Sequence, residues 1–170
     1  MSHRSVKSVA LTALLVVSGA PVAALAATQC DTFYFAGETQ QPAPNQPFIG
    51  GMTLTNLATG QSHMAEVVTI LLGYTSSDMS HAVTSHEIRS AGSPGIDVVT
   101  FDEARLEPTA EPGVLTLLSQ LRVKTGSGAY NCGEMTTDFN SSSVTFDADG
   151  LGSARYSGLA RLCRCKPSDN

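Results

Sequence analysis

The sequence predicts an all-β protein, an antiparallel up-and-down barrel of about eight strands stapled by disulfides. Three observations predict it. Between Val114 and Lys124, Leu115, Leu117, Leu121 and Val123 alternate with Thr116, Gln120, Arg122 and Lys124, the period of two that marks a strand with one buried face. Short β-branched and aromatic runs recur between Gly and Pro turn signals along the chain. Beyond the N-terminal leader, no segment longer than about ten residues carries a capped 3.6-residue periodicity.

Residues 1–26 read as a signal peptide. Arg4 and Lys7 precede an apolar run from Val9 to Val17, and small residues close the segment at Ala24-Leu25-Ala26. A charged start, an apolar stretch too short to span a bilayer and an Ala-x-Ala cleavage site define such a leader. Its removal leaves a single domain, residues 27–170, long enough for one proper core. The expected location is periplasmic or secreted. Gln29 is too large for the small residue that lipoprotein processing wants before Cys30.

Within the domain, Phe33 and Tyr34, Phe48 to Thr55, Glu66 to Leu72 and Ala82 to Ile88 supply extended runs. Ile96 to Leu106 follows, with Ser93-Pro94-Gly95 before it and Pro108 through Pro112-Gly113 after it. Gly126-Ser127-Gly128 and Asp149-Gly150 mark later turns, and Gly37 to Pro47 reads as a polar, proline-rich loop.

Charge narrows the partners. The leader holds two basic residues and no acidic ones, so the domain carries 8 Lys and Arg against 15 Asp and Glu, a net charge of −7. No basic stripe remains, which argues against nucleic acid and anionic membrane surfaces. No second apolar stretch approaches the ~20 residues of a membrane-spanning helix.

Cys30, Cys132, Cys163 and Cys165 all follow the leader, and an even count in an exported chain favours two disulfides. Cys163 and Cys165 are one residue apart, and a ring that small is strained, so each is expected to pair elsewhere. Cys30 would then take one of them and Cys132 the other. A Cys-x-Cys metal or redox pair is the alternative reading.

The second half has a distinctive order of motifs. It runs through Thr84-Ser85-His86, Val99-Thr100-Phe101-Asp102, Leu106-Glu107-Pro108-Thr109 and Pro112-Gly113-Val114-Leu115. Leu121-Arg122-Val123, Thr125-Gly126-Ser127-Gly128-Ala129-Tyr130 and Tyr156-Ser157-Gly158 to Cys163 complete it. Over residues 84–163 this order resembles exported bacterial members of the allene oxide cyclase-like barrel group, which is related to the dirigent proteins. The resemblance implies an eight-stranded barrel whose first and last strands pair, bringing Cys30 toward Cys163. It also implies a lumen for a small, largely apolar molecule, and often a trimer. It rests on turn and strand punctuation and transfers no catalytic residue.

Candidate chemistry depends on strand parity, because alternate residues of a small barrel face its lumen. If Val98, Ala104 and Leu106 point inward, Thr100 and Asp102 point inward with them; the opposite parity buries Val99 and Phe101 and leaves Asp102 in solvent. An inward carboxylate needs donors to offset its desolvation and is then a candidate general acid or base. His86, with Glu87 on the opposite face, is the partner expected for Asp102 in acid–base work, provided the two come within hydrogen-bond reach. A second constellation comprises His63, Met64, Asp78, Met79, His81 and His86. Imidazole with thioether suits copper, and Met79 and His81 share a face of an extended segment, although Met also commonly fills core gaps. No cofactor is expected; His63, Met79 and His81 are the residues a metal would use. No nucleophile elbow, zinc-protease helix or phosphate loop is present.

Three functions fit. The first is a barrel binding a small apolar ligand; the second is an isomerase or cyclase acting by substrate orientation, helped by Asp102 or His86. The third is a structural or interaction barrel filled by its own side chains.

Overall fold

The computed structural model describes residues 29–92 and 95–166. The predicted signal peptide and the Ser93-Pro94 part of one turn lie outside those residues. Nine strands follow in order: β1 (Gln29–Gln40), β2 (Phe48–Asn56), β3 (Ser62–Tyr74), β4 (His81–Ser90), β5 (Asp97–Pro108), β6 (Val114–Gly126), β7 (Cys132–Thr137), β8 (Ser143–Phe146) and β9 (Gly152–Arg164). All pairings are antiparallel, each strand through β6 pairs with the next, and β1 also pairs with β9. That last ladder, from Gln29↔Arg164 to Gln40↔Ser153, closes the sheet and removes its edges. β7 and β8 share one position between β6 and β9: β7 lies against Gln120 to Arg122, and β8 against Val114 to Thr116. The barrel therefore has eight strand positions, one of them filled by an interrupted strand.

The Gly37–Pro47 loop is shorter than expected. Gly37 to Gln40 continue β1, because β2 and β9 hydrogen-bond it from both sides. The sheet coils so tightly there that a Cβ on Gly37 would meet the Gly51 carbonyl at 2.3 Å, so only glycine fits.

The two ends of the barrel differ. At one end Phe33, Leu54, Val67, Ile88, Val98 and Leu162, each no more than 1% exposed, fill the lumen. Tyr130 closes this core edge-on against Phe33 at 5.6 Å, and its hydroxyl donates to Asp31 at 2.6 Å. Both disulfides, Cys30–Cys163 and Cys132–Cys165, staple this end. Cys163 stands in register with Cys30 on β1 and with Cys132 on β7. Once Cys30 takes it, Cys165, two residues on, is left for Cys132. No free cysteine remains among the described residues, and two disulfides fit an oxidising environment.

Candidate functional site

The other half of the barrel is hollow. Residues from the far halves of the strands line a cavity of about 110 Å³: Phe35 and Thr39 on β1, Met52 on β2, Thr69 and Leu71 on β3, and Ala104 and Leu106 on β5. Leu117 and Leu121 on β6, Met135 on β7, Val144 on β8 and Tyr156 on β9 complete most of the wall. The cavity lies toward the turns 41–47, 75–80, 109–113 and 147–151, away from the disulfides. Phe48, Leu71, Tyr74 and Phe146 give that end an apolar rim, with Leu71 43% and Tyr74 44% exposed. The volume is below the ~300 Å³ at which drug-sized ligand pockets begin. It suits a small molecule, or one part of a larger one.

On this wall the inward parity of β5 holds: Val98, Thr100, Asp102 and Ala104 are buried, while Phe101 is 39% exposed. The Asp102 side chain is 1% exposed, and three donors converge on its carboxylate. The Thr84 hydroxyl donates to Oδ1, the Ser119 hydroxyl to Oδ2, and His86 Nε2 lies 3.1 Å from Oδ1. Charge-assisted hydrogen bonds of this kind offset the desolvation of a buried carboxylate. His86 Nδ1 is 2.8 Å from the Thr69 hydroxyl, and Thr84 Oγ1 is 2.9 Å from Nε2. With a carboxylate as acceptor, these partners assign the proton to Nε2, and in the neutral ring Nδ1 accepts from Thr69.

Register explains why these residues meet. Thr84 lies opposite Asp102 in the β4–β5 ladder, and His86 lies opposite Thr69 in the β3–β4 ladder. Ser119 lies opposite Ala104, one inward position from Asp102, and its backbone N–H donates to Thr137 Oγ1 at 2.7 Å. A continuous chain of polar contacts thus runs from Thr69 on β3 to Thr137 on β7, set in an otherwise apolar wall.

The structure brings together His86 and Asp102, the pair expected from sequence. Ser119, Thr84 and Thr69 were not expected as site residues. Ser119 had a signal, since it breaks the apolar inward face between Leu117 and Leu121. The copper constellation is dispersed instead. His63 is buried near the packed end, 6.4 Å from the Phe33 ring. Met79 lies in the turn after β3 and His81 begins β4, beside Tyr74 at the mouth. Along β3 that separates His63 from Met79 and His81 by on the order of 30 Å. Among the described residues no group of three or more His, Cys, Asp or Glu side chains is placed to hold a metal ion.

Fold and site together define a closed, disulfide-stapled β-barrel with a polar cluster in a half-hollow lumen. No protein-family model matches the chain, and no curated protein or solved structure is significantly similar to it.

Proposed function

We propose that this protein is an exported binding barrel that holds a small, neutral, largely apolar molecule in the hollow half of its lumen. One observation carries the reading: an apolar cavity on whose wall the titratable side chains are Asp102, His86, Tyr74 and Tyr156, with no Lys or Arg. With neither Lys nor Arg on its wall, the lumen gives an anionic ligand no permanent cation to pair with, and the Asp102 carboxylate would repel it. A carboxylate offers about four acceptor sites, and three donors use only part of that capacity, so a ligand hydroxyl has a place to bind. In this reading the chain is a distant exported relative of the allene oxide cyclase-like barrels, with the packed end as scaffold and the open end as entrance.

The test is methyl NMR of the disulfide-intact protein titrated with cyclopentanol. Shifts confined to methyls of the cavity wall, such as Met52, Leu106, Leu117, Leu121, Met135 and Val144, are expected. Shifts spread over the outer face, or none, would sink the lumen reading.

The contact between His86 and Asp102 on the cavity wall favours a second reading, an isomerase or cyclase. There the lumen would hold a flexible substrate in one folded conformation, and the pair would relay a proton. Asp102→Asn would then abolish turnover of any substrate found, with the barrel still folded.

A further inference from the structure

One residue of the cavity wall carries a buried hydroxyl that makes no hydrogen bond to any described residue. The Tyr156 ring forms part of the cavity wall on β9, 6.4 Å from the Phe35 ring. Tyr156 is 9% exposed, and among the described residues its phenol oxygen has no hydrogen-bond partner. A buried hydroxyl left unpaired destabilises a fold, and phenylalanine would fill the same space without that penalty. The other buried hydroxyl without a partner among the described residues, Thr100, does not line the cavity. Burial, and after it the Glu38 carboxylate, pushes the Tyr156 phenol well above its ordinary range, so it remains a donor at physiological pH. β9 lies three positions from β5 around the barrel, which sets Tyr156 on the wall opposing Asp102.

We infer that the lumen ligand carries an acceptor oxygen, a ketone or ether rather than a bare hydrocarbon, that receives the Tyr156 hydroxyl. Tyr156 is then the residue that sets specificity at this pole. The inference rests on the proposed lumen binding and adds the chemical class of the ligand.

The experiment compares cyclopentanone with methylenecyclopentane, which has the same shape and no acceptor oxygen, on the wild type and on Tyr156→Phe. Affinities are read by lumen methyl shifts. The variant should lose about fivefold or more in affinity for the ketone and nothing for the alkene. In the wild type labelled at tyrosine Cζ, the Tyr156 resonance should move with the ketone and not with the alkene, whatever the response of Tyr74 at the rim. That readout stands even if the variant fails to fold. If both probes bind and neither Cζ shifts nor the substitution distinguish them, the inference is overturned while lumen binding survives. If neither probe reaches the lumen methyls, both fall.

Discussion

Removing the Asp102 carboxylate should be far more damaging than removing the whole polar cluster. Asp102→Ala leaves the Thr84 and Ser119 hydroxyls and His86 Nε2 without their shared acceptor, in a site where the Asp102 side chain is 1% exposed. Breaking one member of a buried charged network costs about 3–5 kcal/mol. At roughly 3–5 °C per kcal/mol for a domain of this size, the melting temperature should fall by roughly 10–25 °C. The quadruple variant Thr84→Val, His86→Leu, Asp102→Leu, Ser119→Ala removes donors and acceptor together. Thr69 is only half-buried, so water can replace its bond to His86. Apolar replacement of a buried ionic network is often neutral or stabilising by about 1–4 kcal/mol, so this variant should match or exceed the wild type in stability. It should also lose cyclopentanol binding. The assay is urea unfolding followed by circular dichroism without reductant, comparing midpoints at constant m-value. A quadruple variant as unstable as Asp102→Ala would mean that the cluster holds the barrel together. The cluster would then no longer support a ligand site.

Three further outcomes follow from the packing. Gly158→Ala should destabilise by about 1–3 kcal/mol, because its Cβ would meet the Thr136 carbonyl at 2.0 Å and the Phe35 ring at 2.9 Å; a thermal melt checks it. Cys132→Ser with Cys165→Ser opens a loop of sequence separation 33, and loss of about 3–4 kcal/mol is expected from loop entropy, read from the shift in urea midpoint. Burial, and then the hydrogen bond to Asp31, pushes the Tyr130 phenol up from 10.0 to about 12. The folded state therefore holds that proton more tightly. Its contribution is fully present below the unfolded value near 10 and is lost as pH rises toward about 12. In Tyr130→Phe the fall in stability between about pH 9 and 11 should be visibly shallower, measured by unfolding midpoints at the two values.

Much of the barrel was legible because its physics is local. Leu115 to Lys124 alternates, and the turn between β5 and β6 is announced by Pro112-Gly113, so strand and hairpin follow from the residues themselves. The Gly37-Glu38-Thr39-Gln40 strand was not legible, since Thr39 alone among its side chains favours a strand and the hydrogen bonds that hold it belong to β2 and β9. The split of one strand position into β7 and β8 depends likewise on what faces it across β6 and β9. The sequence of β5 is compatible with either face inward; the burial of Thr100 and exposure of Phe101 decide it. His86 and Asp102 drew notice as residue types, whereas Ser119, Thr84 and Tyr156 acquire meaning only from the cavity they border. The His and Met residues between 63 and 86 looked clustered because they are close in sequence, but β3 carries His63 and Tyr74 to opposite ends of the barrel.

The most direct test of the lumen as a binding site is native mass spectrometry of the full chain, expressed for export and purified without reductant. It would be run beside Ala104→Met, which fills the cavity from a wall position that is 4% exposed. A co-purifying small organic mass on the wild type and a bare, folded Ala104→Met protein are expected. A wild type with nothing bound, or a variant that keeps the added mass, would contradict lumen binding.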